Sequence, residues 1–149
     1  MTTINGDDGD NVLTGTDMAA GAITIVSTNT LGVQANDTSQ NPVFSPDGTM
    51  VAFSSKADNL VAGDTNHDFD IFLKNLLTGE VTMVSTNVSG VGGNDRSLEP
   101  SFSPDGTKIA FSSWASNLVP GDSNGDRELF VKDLTNGQVT RVATDSGGS

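Results

Sequence analysis

The sequence predicts an all-β fold built from a repeated four-stranded antiparallel unit. Three observations carry the prediction. Short β-branched and aromatic runs alternate with turns rich in Gly, Asn, Asp and Ser, and no sustained 3.6-residue apolar pattern marks a helix. Long segments recur 58 residues apart without a gap, identical at over half their positions. Each unit also carries one acidic loop at the same place, Asp64–Asp70 and Asp122–Glu128.

The elements follow in chain order. Residues 1–21 differ from the rest and form a separate segment and linker, ending in Met18-Ala19-Ala20-Gly21. From residue 22 to 149 the repeat dominates. Ile23-Thr24-Ile25-Val26-Ser27-Thr28 matches Val81-Thr82-Met83-Val84-Ser85-Thr86 and Val139-Thr140-Arg141-Val142-Ala143-Thr144, so an outer strand is expected at 23–28. A short first strand ends at Phe44, or Phe102 in the second unit. Ser45-Pro46-Asp47-Gly48 then turns the chain, because Pro pre-sets φ and Gly accepts the positive φ that closes the turn. The second strand runs from Met50 to Ser55, and the acidic loop follows it. Third strands are expected at Ile71–Lys74 and Leu129–Lys132, hairpin turns at Thr78-Gly79 and Asn136-Gly137, and fourth strands at Val81–Thr86 and Val139–Thr144.

A four-stranded meander at this period reads as a β-propeller blade. The chain then holds two full blades, about 42–87 and 100–145. Two blades cannot close a ring. The chain is therefore expected to be a piece of a longer propeller or a protomer of a homo-oligomer, three chains supplying six blades and four supplying eight. Phe44, Phe53, Phe72, Phe102, Phe111 and Phe130 keep the repeat register and are the core candidates, with Val26, Val84 and Val142.

Specific motifs point to a family. Phe-Ser-Pro-Asp-Gly (44–48, 102–106) precedes Ala-Phe-Ser-Ser (52–55, 110–113), then Asn-Leu-Val-x-Gly-Asp-x-Asn (59–66, 117–124) and Phe-x-Lys-x-Leu-x-x-Gly (72–79, 130–137). Over about residues 23–145 this resembles the TolB-like β-propeller repeat family, in a subtype with a Gly-Asp-Thr-Asn-Gly loop seen in bacterial secreted or surface proteins. The first, third and seventh loop positions of that subtype are side-chain ligands for calcium. They carry over to Asp64, Asn66 and Asp70, and to Asp122, Asn124 and Glu128. The resemblance thus implies an extracellular, cell-surface or periplasmic location. Residues 4–17, with Gly6, Gly9, Asp10 and Leu13, resemble one to one and a half calcium-binding repeats of the RTX (haemolysin) type.

The residues themselves support a cation reading of the loops. Asp64, Asn66, Asp68 and Asp70 place oxygen-bearing side chains at alternate positions, as do Asp122, Asn124, Asp126 and Glu128. Calcium takes six to eight oxygens from such mixtures of carboxylate, amide and carbonyl. The alternative is that these are turn residues bonding their own backbone. Against it, several like charges in one loop repel unless a cation offsets them. An EF-hand does not fit, since Phe69 and Arg127 stand where its Gly would be. Zinc is disfavoured because His67 is the single histidine and there is no cysteine. His67 is expected to face solvent. Asp68 and Asp126 stand where the family varies, so they are the weaker ligand candidates.

Composition excludes several function classes. With 19 acidic against 7 basic residues the net charge is −12, which disfavours nucleic acid and anionic membranes. No apolar run approaches a membrane span, and the N-terminus lacks the basic start and apolar core of a signal peptide. There is no Cys nucleophile and no phosphate-binding glycine loop leading into a helix. Ser54-Ser55 and Ser112-Ser113 recur in both units, which suits blade structure better than a unique active site. Trp114, replacing Lys56, reads as a packing or rim residue. The expected function is a calcium-binding, non-catalytic blade module with a structural or protein-interaction role. The alternatives are an accessory propeller of a secreted hydrolase or peptidase, or a self-assembling blade unit that forms a ring.

Overall fold

The computed structural model describes residues 23–142. The RTX-like reading of residues 1–21 lies outside them. Eight strands form two four-stranded antiparallel sheets, β1 (Ser39–Phe44) to β4 (Val81–Met83) and β5 (Ser97–Phe102) to β8 (Val139–Arg141). Between them lie β2 (Met50–Ser55), β3 (Asp70–Asn75), β6 (Lys108–Ser113) and β7 (Glu128–Asp133). In each sheet spatial order equals chain order, so both are the up-and-down meanders expected of propeller blades.

The β1–β2 turn shows why the repeat keeps its Ser-Pro-Asp-Gly. Gly48 sits at φ 72° and its N–H donates to the Ser45 carbonyl at 2.9 Å. The Asp47 carboxylate accepts the Ser45 hydroxyl at 2.7 Å, the Thr49 N–H at 3.0 Å and the Thr49 hydroxyl at 2.8 Å. These bonds, that of Ser45 foremost, hold the Asp47 carboxyl below its ordinary range. Ser103, Asp105 and Thr107 repeat the arrangement. The first strand of each blade is bulged, between Gln40 and Val43 and between Leu98 and Ser101. Asn41 and Glu99, inside the bulges, take positive φ.

Alternation along β2 and β3 sends Phe53 and Phe72 to one face of blade 1 and Ala52 and Ile71 to the other. Phe53 stacks on Phe72 across the pair, with ring centroids 5.9 Å apart, and Phe111 stacks likewise on Phe130. The main core lies between the blades. There Ala52, Ile71 and Val84 of blade 1 cluster with Ile109, Phe111, Phe130 and Val139 of blade 2. A second cluster joins Val51, Phe53, Phe72 and Val81 to Val26 and Ala35 in the segment before β1.

Buried lysines fasten this arrangement. Lys74 Nζ on β3 donates to the carbonyls of Thr28, Asn29 and Gly79 and to the Thr28 hydroxyl at 2.8–3.2 Å. Lys132 does the same to Thr86 and Asn87. Burial lowers the pKa of both ammonium groups. Each lysine ties its blade to the connector entering it.

Three expectations are corrected. Residues 23–28 form no strand, and Thr28 makes only an isolated bridge with Gln34. Ile23–Ile25 are the repeat equivalents of β4, but no β3-type strand lies beside them among the described residues. A strand without a partner leaves its backbone groups to solvent, and Ile23 is 94% exposed. Phe44 is 65% exposed, whereas its equivalent Phe102 packs against the inter-blade cluster, because no neighbouring sheet covers Phe44. Val142 is exposed for the same reason on the far face of blade 2.

Burial sets the expected mutational contrast. Phe111→Ala should cost about 3–5 kcal/mol in denaturant unfolding. Phe44→Ala should stay within about 0.5 kcal/mol of wild type.

Candidate functional site

The acidic loops span the β2–β3 and β6–β7 connections and end on the first residue of β3 and of β7. Strand alternation puts Asp70 on the same face as Phe72 and Lys74, so it is fully buried. The loop is drawn inward by Leu60, which is buried with Phe53 and Phe72. It is also tied to the preceding connector, since Asn59 accepts the Asn36 N–H at 3.0 Å and donates to the Gln34 carbonyl at 2.8 Å. Leu118 and Asn117 repeat these contacts in blade 2.

In blade 1 the structure brings Asp64, Asn66 and Asp70 around one cavity of about 80 Å³, closed on the far side by Gly93 of the β4–β5 connector. Asp70 Oδ1 accepts the Ser85 hydroxyl at 2.7 Å, and Asn66 Nδ2 donates to Asp70 Oδ2 at 2.8 Å and to the Gly93 carbonyl at 2.7 Å. Asp64 is 9% exposed, and its buried Oδ2 has no hydrogen-bond partner. Burial pushes the Asp70 carboxyl up to about 7, against the opposing effect of the Ser85 and Asn66 bonds. Burial and then the nearby Asp58 charge raise Asp64. Two carboxylates thus share a desolvated site with no cationic side chain lining it.

Asp68 stands apart. Its Oδ1 accepts the Phe69 N–H at 2.8 Å, and its own N–H donates to Asn66 Oδ1 at 2.9 Å. It serves the turn, as does the exposed Asp126, whose N–H meets Asn124 Oδ1 at 3.2 Å. Among the described residues no three acidic or imidazole side chains converge on one point. An ion at the first loop would therefore rest on two carboxylates plus amide and carbonyl oxygens. The orphaned Asp64 Oδ2 and the Asp70 and Gly93 oxygens fit calcium, whereas Asn66 turns its Nδ2 to Asp70 and Gly93 and its Oδ1 to the Asp68 N–H, so its amide would have to rotate to join as a ligand.

Blade 2 is built differently. Asn124 Nδ2 donates to Glu128 Oε1 at 3.2 Å, which parallels blade 1. Arg141 of β8 then reaches into the loop, its Nη1 donating to Glu128 Oε1 at 3.2 Å and Oε2 at 3.3 Å and lying 3.7 Å from Asp122 Oδ1. All three side chains are buried. Burial and the Glu128 charge raise the Asp122 carboxyl, and Arg141 partly offsets them. Neither Arg141 nor Ser85 was singled out by sequence reasoning. The available signal was that Arg141 and Met83 occupy one repeat position.

Of the other polar candidates, the buried Ser54 hydroxyl has no hydrogen-bond partner, and the rest have structural partners. His67 is largely exposed and faces Asp58, its Nδ1 3.6 Å from Asp58 Oδ2. It takes φ 57° where blade 2 has Gly125. Ser55 bonds Ser39 and the Thr38 carbonyl, and Ser113 bonds Ser97 and the Arg96 carbonyl, so these hydroxyls knit β1 to β2 and β5 to β6. Trp114 is half-buried with the Arg96 guanidinium 4.2 Å from its ring centroid and that of Arg127 at 5.3 Å. In blade 1 the cation and the aromatic exchange places, Lys56 lying over Phe69.

No protein-family model matches the chain. Dipeptidyl-peptidase 5 of Porphyromonas gingivalis is 33% identical over 99 residues, covering 66% of this chain and 13% of that protein. TolB from Acinetobacter baumannii superposes with a TM-score of 0.50 at 27% identity, over 76% of this chain and 23% of TolB. The β-propeller domain of the Trilobed protease from Pyrococcus furiosus matches at a TM-score of 0.47 and 20% identity, over 72% of this chain and 28% of that one. The chain therefore spans a small part of each protein it matches. Its two sheets are β-propeller blades similar in structure to those of TolB.

Proposed function

We propose that the chain is a non-catalytic propeller module, extracellular, at the cell surface or periplasmic, that supplies structural or protein-binding surface beside an enzymatic partner domain such as a peptidase. The observation that carries this reading is the use of the polar side chains. Ser55, Ser113, Lys74 and Lys132 hold blade geometry, and the exposed His67 faces Asp58 and, among the described residues, no serine. The match to a peptidase favours the accessory role. Calcium at the acidic loop would clamp the β2–β3 connection to the connector that follows β4, through Asp64, Asn66, Asp70 and the Gly93 carbonyl. Among the described residues no helix is long and apolar enough to cross a membrane.

The two outer faces favour a second, compatible reading as a self-assembling unit. The inter-blade contact pairs the face of Ile109, Phe111 and Phe130 with that of Ala52, Ile71 and Val84. Blade 1 carries the first pattern again as Val51, Phe53 and Phe72, which are buried against Val26 and Ala35, with Phe44 exposed beside them. Blade 2 carries the second again as Ala110, Leu129 and Val142, with Leu129 and Val142 exposed. A second copy can dock head to tail on these faces, which closes a ring at three or four chains.

Sedimentation of the 149-residue chain should give a trimer or tetramer, and a monomer at every concentration would refute self-assembly. Chromogenic dipeptide substrates should show no turnover above buffer, and saturable turnover would refute the non-catalytic reading. Calcium at a hundred times its Kd should add about 2.7 kcal/mol of stability and raise Tm against chelator. Asp64→Ala should abolish that rise. The raised Asp70 carboxyl sets a pH dependence in chelator. Between pH 3.8 and about 7 the unfolded chain has lost the Asp70 proton that the folded chain keeps. Stability should therefore fall as pH rises across that window, by up to a few kcal/mol, and level off above it. Asp70→Asn should flatten the fall, as read by denaturant titration at each pH.

A further inference from the structure

The two acidic loops occupy equivalent places in their blades, yet they balance their charge differently. Resting on the calcium reading of the loops, we infer that of the two acidic loops only the blade 1 loop takes a divalent cation, and that the guanidinium of Arg141 stands in for the ion in blade 2. In blade 1, Asp64 and Asp70 face a cavity also lined by Asn66 and Gly93, where the Asn66 Nδ2 donates to the Gly93 carbonyl and to Asp70 Oδ2. The buried Asp64 Oδ2 has no donor. The β4 residue at the register position of Arg141 is Met83, which brings no charge and lines the same cavity. The cavity has room for an ion.

In blade 2 the same space between loop and strand holds a built-in cation. Arg141 donates to both Glu128 oxygens at 3.2–3.3 Å and lies 3.7 Å from Asp122 Oδ1, which accepts no hydrogen bond among the described residues and is offset by the guanidinium charge alone; all three side chains are shielded from solvent. A planar guanidinium supplies several fixed N–H donors, which suits two carboxylates better than a point charge does. A divalent ion placed there would have to displace Arg141 against like-charge repulsion. Two more differences accompany the change. Asp70 becomes Glu128, whose longer side chain reaches the guanidinium, and Ser85, which holds Asp70, becomes Ala143. The three substitutions together exchange an ion site for an internal ion pair.

Calorimetric titration of the 149-residue chain with calcium chloride after chelator removal, with native mass spectrometry on the same samples, tests the assignment. One ion is expected at the acidic loops. Asp64→Ala should bind one ion fewer than the wild type, and Asp122→Ala should match the wild type in number and affinity. The double variant Arg141→Met, Glu128→Asp should bind a second ion. An ion lost in Asp122→Ala, or every ion kept in Asp64→Ala, would overturn the assignment while leaving calcium binding intact. No heat and no bound ion in the wild type would overturn the calcium reading itself and this inference with it. Should the double variant fail to fold, the contrast between Asp64→Ala and Asp122→Ala decides alone.

Discussion

The contact between the two sheets is the constraint on which the remaining structure rests. Ala52, Ile71 and Val84 present a modest relief on blade 1, and the stacked pair Phe111–Phe130 with Ile109 fills it from blade 2. Each such side chain contributes roughly 1.5–3 kcal/mol on burial, so the interface outweighs any single polar bond in the chain. It also sets the path of the connector between the blades. Residues 84–93 leave β4, pass Lys132 at Thr86 and Asn87, and meet the acidic loop at Gly93. The loop therefore acquires its far wall from the connector that blade 2 holds in place.

The acidic loops are consequences of strand geometry as much as of loop composition. Asp70 and Glu128 begin β3 and β7 on the buried parity, two residues before Phe72 and Phe130. A carboxyl at that position must be desolvated, and the chain meets the cost with different partners. Blade 1 uses Ser85 and Asn66 hydrogen bonds and leaves Asp64 Oδ2 without a donor. Blade 2 uses an arginine from the adjoining strand. A buried carboxylate without a counter-charge is among the costliest groups in a fold; both loops leave one carboxylate oxygen without a hydrogen bond, and among the described residues only the blade 2 loop has a guanidinium beside it.

Much of the candidate site was legible before the structure. The alternation of Asp64, Asn66 and Asp70 located one cluster, and the family pattern ranked Asp68 below them, in keeping with its turn role. Arg141 was not legible, because it lies 19 positions beyond Asp122 on another strand. Only the β7–β8 register, which pairs Phe130 with Arg141, brings its side chain over the loop. Ser85 and the Gly93 carbonyl escaped for the same reason: both belong to the segment leaving β4, whose path depends on blade 2.

The sequence by itself determined the local structure of this protein. The 58-residue period, the Ser-Pro-Asp-Gly turns and the β-branched runs specified the blades, since each rests on backbone preferences and alternation that neighbours in sequence supply. Only tertiary structure decided which faces are covered. Ile23–Ile25 match β4 in sequence yet form no strand, Phe44 matches Phe102 yet stands in solvent, and Asp122 matches Asp64 yet faces a guanidinium. A strand needs a partner and a core residue needs an opposing sheet. A buried charge needs a counter-charge. None of these requirements is met by residues adjacent in sequence, and each repeat meets them differently according to what lies beside it.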